Sequence, residues 1–116
     1  MYMTNISEIE KEDVEIEGVK KTTIQWLINE KVGAENFAMR RFVMQSQGII
    51  PLHEHDWEHE LYVLKGNGTV LYEDQEHAVS ENDIIYIPQN KSHGFRNDTG
   101  EDFVFLCLIP IKKITT

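Results

Sequence analysis

Four histidines stand at spacings that could do chemistry. His53 and His55 are two residues apart in Leu52-His53-Glu54-His55, His59 follows four residues later, and His93 lies in Lys91-Ser92-His93-Gly94-Phe95. In an extended strand, residues two apart point to the same face, so His53 and His55 present paired imidazoles. A bend after His55 would bring His59, at the start of the apolar run Leu61–Leu64, back toward the same point. Imidazole is the commonest side-chain metal ligand, and several rings converging on one point suit Zn, Fe, Mn, Ni or Cu. The plainer reading of the same spacing is a polar, solvated strand end in a chain rich in Glu and His. Other chemistries lack their residues. No Ser-His-Asp arrangement and no phosphate-cradling glycine loop is present.

The 116 residues allow one domain and one core, residues 1–116. Eleven Lys and Arg against twenty Asp and Glu leave a net charge of −9. That surplus argues against nucleic-acid binding, which needs a basic face, and against attachment to an anionic membrane surface. The single cysteine, Cys107, excludes an internal disulfide and a thiolate-rich metal site. The first eighteen residues are acidic from Glu8 onward and contain no apolar core of a secretory signal. With a lone thiol, this leads to the expectation of a cytoplasmic protein.

The histidines need elements to hold them. Val, Ile, Tyr, Phe and Thr concentrate in short runs at 22–28, 37–45, 59–65, 69–73, 84–87 and 103–109, which predicts strands. Turn-forming residues separate them: Lys65–Gly68, Glu73-Asp74, Glu81–Asp83, Pro88–Asn90 and Asn97–Gly100. Residues 6–16 read as an acidic helical turn or an edge strand. No amphipathic helix intervenes, so the class is all-β, a small antiparallel barrel or sandwich.

Two spaced motifs carry a resemblance. Gly48, His53, His55 and Gly66 match the first motif of the cupin superfamily, and Asn82, Pro88, Asn90, His93 and Asn97 fit the second. Asn82 and Asn90 stand where that family has glycine; asparagine is the next-best residue for positive φ, so both turns survive. The resemblance spans residues 42–109 and implies a double-stranded β-helix, or jelly roll. Counting back six residues from Gly66 puts the family's glutamate on His59 rather than Glu60. His-Gly-Phe-Arg-Asn-Asp (93–98) and Phe-Leu-Cys-Leu-Ile-Pro (105–110) look like a subgroup whose metal, typically manganese, is held by four histidines. The implied ligands are His53, His55, His59 and His93; the competing set replaces His59 by Glu60. Alternation in a strand cannot seat both inward.

Four neutral imidazoles leave a divalent charge uncompensated and two octahedral positions open, for an anion, a substrate or oxygen. The alternative is a closed tetrahedral zinc. The resemblance brings Phe105 and Cys107 to the pocket. Of the adjacent Arg40 and Arg41, one must face away from the other: an inward Arg40 would clamp a carboxylate, whereas an outward, ion-paired arginine is the default expectation. Trp57 is expected to cover the site's edge or a dimer contact, Tyr62, Tyr72 and Tyr86 to fill core or rim, and His77 to be a solvated loop residue. The expected function is oxidative, oxygenase-like metal chemistry on a small molecule. A non-catalytic ligand-sensing protein and a metal-dependent isomerase or lyase are the alternatives. A homodimer is expected, with the N-terminal segment 1–20 pairing on a partner's sheet edge.

Overall fold

In the computed structural model, residues 1–112 are described. They form nine antiparallel strands curled into a barrel, and among the described residues the helical turns are Ile6–Glu8 and Glu30–Val32. The strands are β1 (Glu12–Asp13), β2 (Lys20–Ile28), β3 (Phe37–His53), β4 (His59–Lys65), β5 (Gly68–Tyr72), β6 (Gln75–Val79), β7 (Ile84–Ile87), β8 (His93–Arg96) and β9 (Phe103–Pro110). They lie in the order β6-β5-β8-β3-β9-β4-β7, with β2 also paired to β3 and β1 to β2. The expectation of an all-β antiparallel barrel is met, and no helix of the described chain is long and apolar enough to cross a membrane.

The long strand β3 organises the molecule. Its first part pairs with β2 on one side and β9 on the other, and its last residues pair with β8. Periodicity suggested an end at residue 45, but the strand bends and continues to His53. The bend is built at Gln47, at φ 68°, and at Gly48, where a Cβ would overlap the Met44 side chain and the Gln45 carbonyl. Asn97 braces it from within: fully buried, it donates from Nδ2 to the carbonyls of Met44 and Glu101. This places Ile49 to His53 beside β8, so that His53 lies across from His93.

The strands β6 and β8 were not legible as apolar runs. β6 is largely exposed on both faces, and β8 has only four residues, His93-Gly94-Phe95-Arg96. His77 therefore belongs to a strand rather than a loop, though it is solvent-exposed as expected and its ring contacts Gln75 Oε1 at 3.2 Å. Asn82 and Asn90 do adopt positive φ, 72° and 63°.

The core is a stack of Phe42, Phe105, Phe103 and Phe95, with centroids 4.8–5.1 Å apart along the chain of contacts. Met44, Ile50, Val63 and Ile87 complete it and are almost fully buried. The N-terminal segment packs on its own chain. Glu12 and Asp13 pair with Ile24 and Thr23, Val14 and Ile16 rest on the core, and buried Gln25 donates from Nε2 to the carbonyls of Ile6 and Ile9.

Candidate metal centre

His53 ends β3, His93 begins β8, and His59 begins β4, so three strand ends meet at one mouth of the barrel. His55 sits on the intervening bend, its ring stacked on Trp57 at 4.3 Å and 7°. One ligand nitrogen each from His53, His55 and His93 can be chosen so that all lie within 4.8 Å of one another. His59 lies against this trio, its ring centroid 4.6 Å from His93 and 5.3 Å from His55. Glu60 is on the outer face: along β4, His59, Leu61 and Val63 are buried while Glu60 and Tyr62 are exposed.

Local hydrogen bonds orient two of the rings. Nδ1 of His53 is 2.8 Å from the Pro51 carbonyl, and Nδ1 of His93 is 2.8 Å from the Lys91 carbonyl. A carbonyl partner requires Nδ1–H to donate, which leaves the Nε2 lone pair of each ring free for a cation. His59 Nδ1 is buried with no hydrogen-bond partner and is thus available to a ligand. Burial, then the neighbouring imidazoles and Arg40, lowers the pKa of His55 to about 4. Burial, then His93 and Arg40, lowers that of His59 to about 3. The His93 value is lowered too, chiefly by burial. Neutral rings are lone-pair donors near pH 7, so this donor set fits a divalent transition metal.

The histidines form one wall of a cavity of about 330 Å³. Phe105 and Cys107 line it, as the resemblance implied, and so does Arg40. The default expectation of an outward, ion-paired arginine fails for Arg40, and for Arg41 it holds in direction but not in the ion pair. Arg40 points inward: its Nη2 is 2.9 Å from Cys107 Sγ, and its guanidinium lies over the rings of Trp26 and Phe42 at 5.5 and 5.1 Å. Arg41 points the other way and donates to Gln25 Oε1 at 2.9 Å rather than to a carboxylate. Burial raises the Cys107 thiol pKa, a shift that Arg40 only partly opposes.

Trp57 lines the site's edge, as expected, and carries Lys112 over its ring at 4.8 Å. Tyr72 packs on the core, while Tyr62 and Tyr86 are exposed on the barrel's outside. The Tyr86 hydroxyl donates to Glu58 Oε2, which raises its pKa. Sequence reasoning missed the roof of the cavity, residues 12–16, and the side walls Trp26 and Phe42. The alternation of Val14 and Ile16 with Asp13, Glu15 and Glu17 was the available signal.

A family model described as a cupin domain matches residues 40–109. Among solved structures, the polyketide cyclase RemF from Streptomyces resistomycificus is 32% identical with a TM-score of 0.92, over 99% of this chain and 82% of that one. A predicted oxalate decarboxylase from Thermotoga maritima superposes with a TM-score of 0.83 at 23% identity, over 96% of this chain and all of the other, a likeness of fold. The HTH-type transcriptional activator RhaR of Pectobacterium carotovorum subsp. carotovorum (strain PC1) is 32% identical over 54 residues, 47% of this chain. The chain spans only 19% of that activator's length.

Proposed function

The chain belongs to the cupin domain family, and we propose that it is a divalent-metal enzyme of the non-redox, ring-closing or dehydrating kind, acting on a small, largely apolar molecule rich in oxygen groups. The carrying observation is the cavity itself, lined by the clustered histidines, by the rings of Trp26, Phe42, Phe95 and Phe105, and by residues 12–16. Likeness to a polyketide cyclase over nearly the whole chain supports the reaction class.

His53, His55, His59 and His93 would hold the metal, with manganese the first candidate and iron, zinc, nickel or copper the others. When bound, it would supply electrophilic polarisation of substrate oxygens. The Pro51 and Lys91 carbonyls fix the tautomers of His53 and His93, so both rings present Nε2 without reorganisation. Ile50, Phe95 and Phe105 line the cavity and restrict water around the reacting carbons. Cys107 stays a protonated thiol on the wall and supplies no nucleophile at neutral pH.

The second reading is the oxidative reaction, favoured by the all-nitrogen donor set, which leaves positions for both substrate and oxygen. The test supplies a linear poly-β-ketone analogue to protein purified without added metal, after metal analysis, and follows products with dissolved oxygen. Cyclised or dehydrated product without oxygen uptake is the expected result. Stoichiometric oxygen uptake replaces it with the oxidative reading. Binding without turnover by any bound metal makes the protein a ligand sensor, and a protein without stoichiometric metal overturns the metal centre. The homodimer and the cytoplasmic location are retained as proposals, checked by sedimentation and by fractionation.

A further inference from the structure

Arg40 has no counter-ion. Among the described residues it forms no ion pair, although Glu12, Asp13 and Glu15 line the same cavity's rim. Its Nε is buried and without a hydrogen-bond partner. Its one donated bond, from Nη2, goes to the weak acceptor Cys107 Sγ. The Trp26 and Phe42 rings hold the guanidinium plane by cation–π contact and remove it from water. A half-buried guanidinium with unspent donors, facing a cavity, is a preorganised receptor for a planar anion. It also stands within electrostatic reach of the histidines, since its charge helps to lower the pKa values of His55, His59 and His93.

We propose that Arg40 is the anion-binding residue of this cavity and restricts its ligands to aromatic or conjugated acids, with the carboxylate or acidic enol on Arg40 and the flat apolar body between Phe42, Phe105 and Trp26. This deepens the metal-enzyme reading, on which it rests for the second anchor, the histidine end that receives the ligand's other oxygen. Arg40 would thus set which end of the substrate reaches the histidines. Cys107, bonded to Nη2, is the positioning residue that keeps the guanidinium on the cavity side of its aromatic clamp.

Both of the chain's tryptophans, Trp26 and Trp57, line the cavity, so their fluorescence reports occupancy directly. The probes are 4-isopropylbenzoate and 4-isopropylbenzyl alcohol, which share an apolar body and differ in charge. Each is titrated into the protein as purified and again after chelator treatment. The acid is expected to bind at least about tenfold more tightly than the alcohol in both states, as a charge-assisted hydrogen bond implies. Arg40→Gln should reduce the acid-to-alcohol affinity ratio to near one, Arg40→Lys should keep part of it, and Arg41→Gln, on the opposite face, should keep all of it. Equal affinities in the wild type, or a preference surviving in a folded Arg40→Gln protein, overturn the proposal. A preference that vanishes on chelation shows the carboxylate sitting on the metal, which also overturns it while leaving the metal reading intact. A preference that persists in a protein found to bind no metal supports Arg40 and sinks only the metal reading. Should Arg40→Gln fail to fold, the chelated wild type and Arg40→Lys decide between the same results.

Discussion

The histidines and the arginine that line the cavity solve opposite electrostatic problems. Among the histidines, two rings have their Nδ1 atoms tied to carbonyls two residues back, which leaves their Nε2 atoms free for another partner. At the Arg40 end, a permanent charge is clamped by aromatic faces, and its Nε is left without a partner. In the proposed reading the histidines receive a cation and Arg40 an anion. The histidine end is assembled from strand termini and a bend, where local backbone geometry sets each ring. The Arg40 end is assembled from mid-strand residues, Arg40 on β3 directly opposite Cys107 on β9, where only pairing register decides what faces inward.

Breaking the histidine end should give the largest effect. His93→Ala removes the almost fully buried ring at the centre of the cluster; metal retained through purification, read by elemental analysis, is expected to fall from near stoichiometric to background. Retention by that variant would show that the histidine end is not a metal centre.

His59→Ala is expected to lower metal affinity by about 10–100-fold or more, since it deletes a ring that touches the trio, by a margin at least that of an outer-shell partner. Glu60→Ala, on the outer face, should leave it unchanged. Competition with a chelator measures both, and the reverse ranking would restore the three-histidine, one-glutamate set.

The metal-free protein should lose stability on acidification. The folded pKa values of His55 and His59, about 4 and about 3, lie below the ordinary 6.5. The unfolded chain therefore binds protons first as pH falls. Stability from these rings is complete above about pH 6.5 and declines through the window down to about pH 3–4. The midpoint of thermal unfolding should drop through that window, and Asp56, whose carboxyl pKa the Lys112 bond holds below its ordinary value, adds to the loss at the acid end. Replacing His59 with Phe should flatten the slope; an unchanged slope would break the assignment.

The smallest effect is expected over the roof of the Arg40 end. Gln25→Ala removes the bonds that hold Ile6 and Ile9 and the acceptor for Arg41, for a cost of about 1–3 kcal/mol by denaturant titration. Faster hydrogen exchange confined to the first sixteen residues would mark them as a separately opening roof.

The sequence by itself determined the barrel and the histidine end. Turn residues between short β-branched runs leave few other folds, and the spacing of two brought the rings of His53 and His55 together, 4.8 Å apart, although β3 ends at His53 and His55 lies just beyond it. Asn82 and Asn90 could likewise be assigned to positive-φ turns from their type and place, and both are found there. The tertiary structure decided the rest. β6 and β8 carry too little apolar periodicity to be seen, because one is exposed and the other, His93-Gly94-Phe95-Arg96, has Phe95 as its one large apolar side chain. Whether His59 or Glu60 faces inward depended on the register of β4 after a bend that no local pattern specifies. Arg40 and Arg41 are chemically identical neighbours, and a one-residue slip of β3 against β9 would exchange them. Nothing in their types distinguishes the one that enters the cavity from the one that bonds Gln25. That choice belongs to strand pairing.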